Sequence, residues 1–519
     1  MSAAKTDALT LLPDDTEALK RIIADQFTVI AAKDQRIAVL EEFVRLQTLK
    51  QFGASTEKST DQQDMFNEAE LSMVAEEVLV EQAAEREAQS AHTLQPKKRA
   101  GRKPLPAELP RIRIEHPASK AETTCDCGCE RSVIGEETSE QLDIIPARIQ
   151  VLVHVRKKYA CRHCEASVKT VPLPAQPIPK SNASPGLLAH VAVAKYQDAL
   201  PLHRQEAILN RSGIDVPRNT LANWMIKSGE LIQPLINLLE DTLFSYPLIH
   251  CDETPVQVLK EPDKNATSKS YMWVRAGGPP THPIRLFHYA DSRSGEVART
   301  LLADYAGYLH TDDYAGYNGV CTEKTIIQLG CWAHARRKFI EAQKAAGKHK
   351  KTGKADMALT LIGKLYAVEK EIKNLNPDEK YRIRQKSSVP LLNNIRDWLD
   401  KTLHSTLPKG LLGKALAYLD KNWAKLTRYT DDGRLAIDNN LAENAIRPFV
   451  VGRKNWLFSA TVKGAKSSAN LYSLIETAKA NGQEPYTYLR HLFNELPKAE
   501  TVGEIEALLP WNTLALKAD

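Results

Sequence analysis

The sequence predicts a multidomain α+β protein, and three observations support that fold class. The chain has 519 residues, which is enough for about three domains of ~150 residues each. β-Branched residues recur every seven positions near the amino terminus, a pattern typical of a coiled-coil helix. Beyond residue 245, short apolar runs typical of strands alternate with segments of helical composition.

The composition is that of a soluble protein. Hydrophobic residues make up 43% of the chain and charged residues 26%, so neither disorder nor membrane insertion dominates. No apolar run approaches the ~18–20 residues of a membrane span. Residues 1–20 contain acids and no apolar stretch, which predicts no secretory signal and a cytoplasmic location. The net charge of +6 is only weak support for an anionic partner.

The amino-terminal segment is predicted to be a coiled-coil helix. Ile23, Ile30, Ile37 and Val44 occupy the same position of successive heptads. β-Branched residues at this position favour a parallel coiled coil, which predicts a second copy of the chain as a partner. The alternative is a single amphipathic helix that packs on its own chain.

A basic run follows an acidic linker that spans 54–96. The run contains Arg99, Arg102 and Lys103, the last two within the sequence GRKP at 101–104. Extended Arg and Lys side chains enter the narrow minor groove of DNA, so these three residues are predicted DNA contacts. The alternative is a solvated segment without a ligand.

Five cysteines form two clusters that predict a zinc site. The clusters are Cys125, Cys127 and Cys129, and then Cys161 and Cys164. In a reducing compartment such spacings indicate metal binding rather than disulfides, and four thiolates would hold a structural Zn²⁺. Two of the first three cysteines would be ligands, and the alternating pattern of 147–155 predicts a strand that leads back to the second cluster. The other three cysteines are isolated and are predicted to be small core residues: Cys251, Cys321 and Cys331.

A helix-turn-helix motif is predicted within 182–235. Residues 202–210 and 217–228 have helical patterns, and a Gly-containing turn separates them, with Pro217 at the first position of the second helix. Four polar residues of the second helix are predicted to face the major groove: Arg218, Asn219, Asn223 and Lys227. Its opposite face is predicted to be buried: Leu221, Trp224 and Met225. The alternative is a plain helical connector.

Three carboxylates on separate elements predict a divalent metal site. The run at 248–255 is apolar up to its acids and is then broken by proline, so we expect a short strand with Asp252 at its tip. A second strand would end at Asp312, and Glu443 lies where a helix is predicted to begin. Hard carboxylate oxygens suit Mg²⁺ or Mn²⁺. Because the chain has 64 acidic residues, spacing alone does not establish the site.

The order of elements around these acids is typical of a ribonuclease-H-like α/β catalytic domain. Two strands at 270–275 and 284–289 would form a hairpin after Asp252. The elements predicted next are a helix at 296–302, the strand before Asp312, a strand at 326–331 and a helix at 332–339. Residues 340–432 are rich in Lys, Leu and Ala without a strand pattern, which predicts a helical insertion that splits the domain.

These predictions divide the chain into consecutive segments. They are a coiled-coil helix at 1–53, an acidic linker at 54–96, a basic hook and zinc-binding β unit at 97–175, a helix-turn-helix at 182–235, the first part of the catalytic domain at 245–340, the helical insertion at 341–432, the second part of the catalytic domain at 433–480 and a helical C-terminal tail at 481–519.

Several motifs are long enough to be specific. They are CDETP at 251–255, TDDYAGY at 311–317, GCWAHARRKF at 330–339, DNNLAENAIRP at 438–448 and NLYSLIET at 470–477. Together with GRKP at 101–104, they resemble the transposases of the insertion-sequence 66 family over nearly the whole chain. The resemblance implies an Asp-Asp-Glu triad made of Asp252, Asp312 and Glu443. Asp313 stands where the family usually has glycine, so it remains a rival to Asp312.

The resemblance implies a DNA transposase that binds the ends of a bacterial insertion sequence and then cleaves and joins DNA strands. Two divalent cations held by the triad would activate the attacking oxygen and stabilise the leaving one. Nearby basic residues are predicted DNA contacts: Arg336, Arg337, Arg447, Arg453 and Lys454. For the first two and His334, a basic surface helix is the alternative. Accessory proteins of the same element are expected partners, and a membrane is not.

Two other functions fit parts of the sequence. One is a catalytically inactive, site-specific DNA-binding regulator derived from a transposase, and the other is a general nuclease. The presence of all three acids argues against the regulator. The predicted dimerising helix and sequence-reading modules argue against a general nuclease.

Overall fold

The computed structural model describes most of the chain beyond residue 171 and parts of the amino-terminal third. The described residues are 15–18, 20–21, 23–30, 33–34, 37, 149–159, 169–170, 172–323, 325–346 and 353–513. The chain divides into two compact units, Glu76–Leu173 and the remainder. The predicted linker, the basic run with Arg99, Arg102 and Lys103, and the five predicted zinc ligands lie outside the described residues.

The described residues between 16 and 37 are helical. Ile23, Ile30 and Ile37 are 53%, 50% and 53% exposed there. These side chains therefore remain available to a partner helix, whereas Val44 lies outside the described residues.

The smaller unit contains a short antiparallel hairpin of β1, Lys158–Tyr159, and β2, Lys169–Thr170. Cys161 and Cys164 lie between these two strands in the sequence, outside the described residues. The prediction of a strand over 147–155 is wrong for the residues described, because 149–157 form no ladder and Val151 and Val153 are 87% and 79% exposed. An alternating pattern becomes a strand only when another strand lies alongside to accept its backbone hydrogen bonds.

Between residue 174 and the main sheet lie four helices: α1 Pro185–Tyr196, α2 Leu202–Arg211, α3 Arg218–Leu231 and α4 Gln233–Phe244. The Ser184 hydroxyl accepts the Leu187 N–H, and Pro185 fits the first turn of α1, where no intrahelical N–H bond is needed. Gly213, with φ of 77°, makes the turn between α2 and α3. Pro217 caps α3 in extended geometry, one residue before the helical position predicted for it.

The main sheet has six strands in the described residues: β3 Leu248–Lys260, β4 Lys269–Gly277, β5 Ile284–Ala290, β6 Gly307–His310, β7 Ile326–Leu329 and β8 Phe458–Thr461. The order is β5-β4-β3-β6-β7, and β8 also pairs with β3. The first three strands are antiparallel, whereas β6, β7 and β8 run parallel to their partners. The fold class is therefore mixed α+β, as predicted.

Strand β3 differs from the prediction, because it continues through Asp252 and Pro255 to Lys260. Its pairing explains why a proline is tolerated. On one side β4 pairs with residues 249–257, but on the other β6 covers only 248–250 and β8 covers positions within 257–260. The Pro255 carbonyl faces Arg453 on this open side, and the N–H of a strand residue points the same way as its carbonyl. The missing N–H of Pro255 therefore removes no ladder hydrogen bond.

The remaining helices fall into three groups. The helices among the strands and directly after β7 are α5 Gly295–Leu301, α6 Asn318–Glu323 and α7 Trp332–Ala346. The segment 353–432 contains α8 Lys354–Ile372, α9 Pro377–Ile383, α10 Val389–Leu403, α11 Leu411–Lys421 and α12 Trp423–Thr427. The last group is α13 Asn440–Trp456, α14 Val462–Ala480, α15 Pro485–Glu495 and α16 Val502–Glu506.

The described residues beyond 173 form two hydrophobic cores. The first joins the sheet to α1, α3, α13 and α14, with Trp273, Phe449 and Tyr472 among its buried residues. The second joins α7 to the helices of 353–432, around Trp332 and Phe339. Because α7 belongs to the second core while β7 lies in the sheet, the helical segment packs at the β7 end of the sheet. No helix in the described ranges is both long and apolar enough to cross a membrane.

Candidate metal and catalytic site

Asp252 lies in the middle of β3, where its register partner on β4 is Val274. Side chains alternate along a strand, so Asp252 shares a face with His250 and Thr254. Its Oδ1 accepts the N–H of Glu253 at 2.8 Å, and the residue is only partly buried. The carboxylate can therefore reach a ligand from a strand that is otherwise held in the core.

Asp312 reaches the same region from the neighbouring strand. His250 of β3 and His310 of β6 are register partners in parallel strands, and the two acids each lie two residues further along. Tyr314 donates its N–H to Oδ1 of Asp312 at 3.0 Å, which fixes a turn after the strand. Asp313 takes a different direction, since its carboxylate pairs with Lys421 of α11 at 2.8 Å.

Glu443 comes from the first turn of α13 and is 7% exposed. Asn439 fixes the start of this helix against β3: its Nδ2 donates to the Cys251 carbonyl at 2.8 Å, and its Oδ1 lies 3.0 Å from Nδ1 of His250. An amide that joins a helix start to a strand in this way restrains the position of the next turn. Glu443 is thereby held beside the acids of the sheet.

The pKa of Asp252 is raised by burial and by neighbouring carboxylates. Burial raises this pKa well above its usual range, and the negative charges of Glu253, Glu443 and Asp312 raise it further. Glu253 is the next residue of β3, and the charges of Asp312 and Glu443 come from two further elements. Such a cluster of oxygens gains stability when a cation binds, and its donor set suits a hard divalent ion such as Mg²⁺ or Mn²⁺.

Glu253 belongs to the same neighbourhood, although no role is predicted for it from the sequence. Its Oε1 accepts from Nε of Arg293 at 2.6 Å, and its Oε2 accepts the hydroxyl proton of Tyr317 at 2.6 Å. Burial and the charge of Asp312 raise the pKa of Glu253 to about 7, while Arg293 opposes the rise. Arg293 also lies 3.8 Å from Asp312, so this arginine links the two acids. Neither Arg293 nor Tyr317 could be predicted as a partner of Glu253 from the sequence spacing.

Basic residues surround the acids on the helical side. Arg337 of α7 lies 3.5 Å from Oε2 of Glu443, and Nδ1 of His334 lies 3.8 Å from Oε1. Arg336 and Arg447 are partly exposed. Part of the helix that the sequence GCWAHARRKF forms therefore faces the acidic cluster.

Arg453 is buried, although it is predicted from the sequence to contact DNA. It is 7% exposed, and its guanidinium donates to the hydroxyl of Thr254 at 3.0 Å and to the Pro255 carbonyl. This position argues against the predicted DNA contact and makes Arg453 an anchor between α13 and β3. Its neighbour Lys454 is exposed.

The predicted faces of α3 are distinct in the structure. Its exposed residues include all four predicted DNA contacts: Arg218, Asn219, Asn223 and Lys227. Leu221, Trp224 and Met225 are buried, as predicted. The buried face packs on α14, where Nδ2 of Asn470 donates to the Gly229 carbonyl at 2.9 Å.

Family models match four parts of the chain. The model described as the Transposase IS66 family matches residues 180–467, and the IS66 C-terminal element matches 473–511. The zinc-finger binding domain of transposase IS66 matches 122–165, and the model described as Transposase C of IS166 homeodomain matches 39–114. The third match encloses all five predicted cysteine ligands, so the predicted zinc-binding domain is confirmed while the individual ligands remain predictions.

Relatives of similar length occur in Sinorhizobium fredii. The uncharacterized protein y4qI is 30% identical, over 96% of this chain and 97% of its own length. The uncharacterized protein y4jD is 32% identical, over 79% of this chain and 81% of its own length. The similarity therefore extends through both the zinc-finger region and the main sheet.

Proposed function

The chain belongs to the IS66 transposase family, and from that premise we propose that it is a DNA transposase that cuts and joins DNA through Asp252, Asp312 and Glu443. The observation that carries this proposal is the convergence of three carboxylates from β3, the end of β6 and the start of α13. Their mutual effect on the pKa of Asp252 supports a shared site. We also propose that the main sheet is of the ribonuclease-H-like type, since three antiparallel strands are followed by two parallel ones, and Asp252 lies on β3 while Asp312 directly follows its neighbour β6.

Asp252, Asp312 and Glu443 would hold divalent cations through their oxygens. When bound, Mg²⁺ or Mn²⁺ neutralises charge on the scissile phosphate and polarises the attacking oxygen. The attacker is water during cleavage and the freed 3′ hydroxyl during strand transfer. Because such phosphoryl transfer depends on positioning and charge, the chain needs no covalent nucleophile.

The surrounding residues would orient the carboxylates and the DNA. Arg337 keeps Oε2 of Glu443 in place, and Arg293 restrains Asp312 through the same guanidinium that binds Glu253. Arg447 lies one helical turn after Glu443, where it would contact a phosphate beside the metal site. We assign Asp312 rather than Asp313 to the proposed triad, and the pairing of the Asp313 carboxylate with Lys421 supports that choice.

DNA ends would be recognised by parts of the chain outside the acidic cluster. The helices α2 and α3 form the proposed helix-turn-helix, with the exposed polar face of α3 in the major groove. The basic residues Arg99, Arg102 and Lys103 would enter the minor groove. A second copy of the chain would pair through the amino-terminal helix, and accessory proteins of the same element remain expected partners. Action on DNA would place the protein in the cytoplasm of a bacterial cell.

The proposal is tested by adding the full-length protein to a DNA duplex that carries the element's ends. Reactions contain Mg²⁺, Mn²⁺ or Ca²⁺, and cleavage at the ends and joining to a target duplex are both measured. We expect cleavage and joining with Mg²⁺ or Mn²⁺, and end-specific binding with Ca²⁺. End binding without chemistry, even with the accessory proteins added, would favour the inactive regulator instead. Cleavage without preference for the ends would favour a general nuclease.

A further inference from the structure

A second type of metal ligand lies beside the acidic cluster. Cys331 directly precedes α7, and His334 follows three residues later, so both face the same side of the helix start. Glu443 approaches from α13. One ligand atom from each residue, sulfur, nitrogen and oxygen, lies within 4.8 Å of the other two.

The donor chemistry of these three residues differs from that of the carboxylate cluster. A thiolate, an imidazole and a carboxylate together suit Zn²⁺ or Co²⁺, whereas Mg²⁺ takes oxygen ligands almost alone. Ligand atoms around a tetrahedral zinc lie about 3.5 Å apart, given metal–ligand bonds of about 2.0–2.3 Å. Atoms up to 4.8 Å apart would therefore approach one another by at most about 1.3 Å on binding, which side-chain rotation can supply.

The surroundings orient these side chains as they would be oriented around a metal. Asn439 donates its backbone N–H to Sγ of Cys331 at 3.2 Å. Arg337 lies beside Oε2 of Glu443, while Oε1 is buried and receives no hydrogen bond from the residues described. A buried carboxylate oxygen without a donor is costly and calls for a ligand. Polar contacts to the ligating residues, such as the hydrogen bond from Asn439 and the ion pair with Arg337, are typical of metal sites.

The simpler interpretation of Cys331 is that of a small core residue, and it is fully buried. That interpretation accounts for the burial of the sulfur. It does not account for a histidine nitrogen and a donor-free carboxylate oxygen next to the sulfur. Cys251 provides the contrast, since it is also buried but belongs to no such group among the described residues.

We propose that Cys331, His334 and Glu443 bind one zinc-class divalent cation, with the fourth position open. The binding itself does not depend on the proposed function. One consequence does rest on it: because Glu443 would be shared, Zn²⁺ at this site withdraws Glu443 from the Mg²⁺ site and inhibits cleavage of DNA.

Cobalt spectroscopy tests the site directly. Full-length protein with Zn²⁺ already in its zinc-finger domain is titrated with Co²⁺, and the thiolate-to-cobalt charge-transfer band is followed. The zinc-finger cysteines are the same in every variant, so the difference between wild type and Cys331→Ser isolates the new site. We expect one additional Co²⁺ in wild type, and binding at least tenfold weaker in Cys331→Ser and in His334→Ala. Cys321→Ser is the matched control, because its sulfur is partly buried in α6 outside the group, and it should bind as wild type does.

An unchanged cobalt spectrum and affinity in folded Cys331→Ser would overturn the proposal. If that variant does not fold, His334→Ala alone decides, and wild-type affinity there would overturn it equally. A separate assay adds Zn²⁺ to the Mg²⁺-dependent cleavage reaction, where inhibition in wild type is expected. Cobalt binding that depends on Cys331, in a protein with no Mg²⁺-dependent cleavage, would support this site and contradict the proposed function. Mg²⁺-dependent cleavage by a protein whose cobalt binding does not depend on Cys331 would support the proposed function and contradict this site.

Discussion

Arg453 illustrates how burial decides the role of a charged side chain. In the sequence it stands next to Lys454 near the end of a helix, and the pair looks like a basic patch for DNA. In the structure Arg453 turns into the protein and binds the open edge of β3, whereas Lys454 is exposed. Two adjacent cations thus separate into a structural residue and a surface residue, because adjacent helical positions face different directions.

We predict that Arg453→Met lowers the free energy of unfolding by about 2 kcal/mol, since a buried charged hydrogen-bond donor is lost from Thr254 and Pro255. Lys454→Met should change it by less than about 0.5 kcal/mol and should weaken DNA binding instead. Urea unfolding and DNA binding are measured for both variants. An Arg453→Met protein that is as stable as wild type but binds DNA poorly would restore the original interpretation.

Lys195 of α1 is a second cationic side chain whose role depends on its surroundings more than on its charge. Its Nζ lies 5.3 Å from the ring centroids of both Tyr196 and Trp456. Burial lowers the pKa of Lys195 to about 8. Between pH 8 and the ordinary lysine pKa of about 10.4, the unfolded chain therefore binds more protons at this position than the folded one.

The sign of the pH effect follows from that difference. As the pH rises from about 8 to about 10, folded wild type should gain stability relative to Lys195→Met, by on the order of 1–2 kcal/mol. The difference in unfolding free energy between the two proteins is measured at pH 7, 8, 9 and 10 by urea unfolding. A constant difference would show that the ring contacts compensate for burial and that the pKa of Lys195 is ordinary.

At the scale of elements, periodicity predicted most helices and strands, because a buried face must repeat with the period of its element. Helices α2 and α3 and the hairpin of β4 and β5 lie within a few residues of the prediction. The length of β3 and the absence of a strand over 149–157 were missed. Both depend on which strands lie alongside, and the local sequence does not determine the neighbouring strands.

The candidate site shows the same limit. The distinctive motifs around Asp252, Asp312 and Glu443 predicted the triad, and it stays a prediction. The partners of Glu253 could not be predicted, since Arg293 and Tyr317 approach from the loop before α5 and the turn after β6. The direction of the Asp313 side chain could not be predicted either, because its partner Lys421 lies on α11, far along the chain.

The contact between α3 and α14 depends on a glycine. A Cβ atom added at Gly229 would lie 2.5 Å from Cβ of Ser467, whereas one added at Gly363 in α8 meets no atom within 4 Å. We predict that Gly229→Ala lowers the free energy of unfolding by about 1–3 kcal/mol through overpacking. Gly363→Ala should raise it by about 1 kcal/mol through helix propensity alone.

Thermal and urea unfolding of the two alanine variants provides the comparison. The helix-propensity gain is shared, so the difference between them reports the packing of α3 on α14. If both substitutions stabilise the protein equally, the close approach of the two helices is incorrect, and the proposed DNA-binding helix is not held on the main unit in this way.

At the scale of the whole molecule, the exposed isoleucines of the amino-terminal helix point to assembly. We predict that Ile30→Lys converts a dimer into a monomer, because a charge would replace a β-branched residue in the seam of a parallel coiled coil. Thr28→Lys is the matched control, since it lies two residues away on the outer side of the same helix. Sedimentation at several protein concentrations measures both variants. Equal masses for Ile30→Lys and wild type would show that this helix does not mediate self-association.

The proposed function requires that Asp252, Asp312 and Glu443 act together in one site and that the neighbouring Asp313 does not belong to it. The most direct measurement is single-turnover cleavage of end-bearing DNA by Asp252→Ala, Asp312→Ala, Glu443→Ala and Asp313→Ala, each first shown to fold and to bind the ends. We expect at least a hundredfold loss of rate, about 3 kcal/mol of transition-state stabilisation, in the first three variants and a near-normal rate in Asp313→Ala. Full activity in any of the first three, or loss in Asp313→Ala with Asp312→Ala active, would contradict the proposed site.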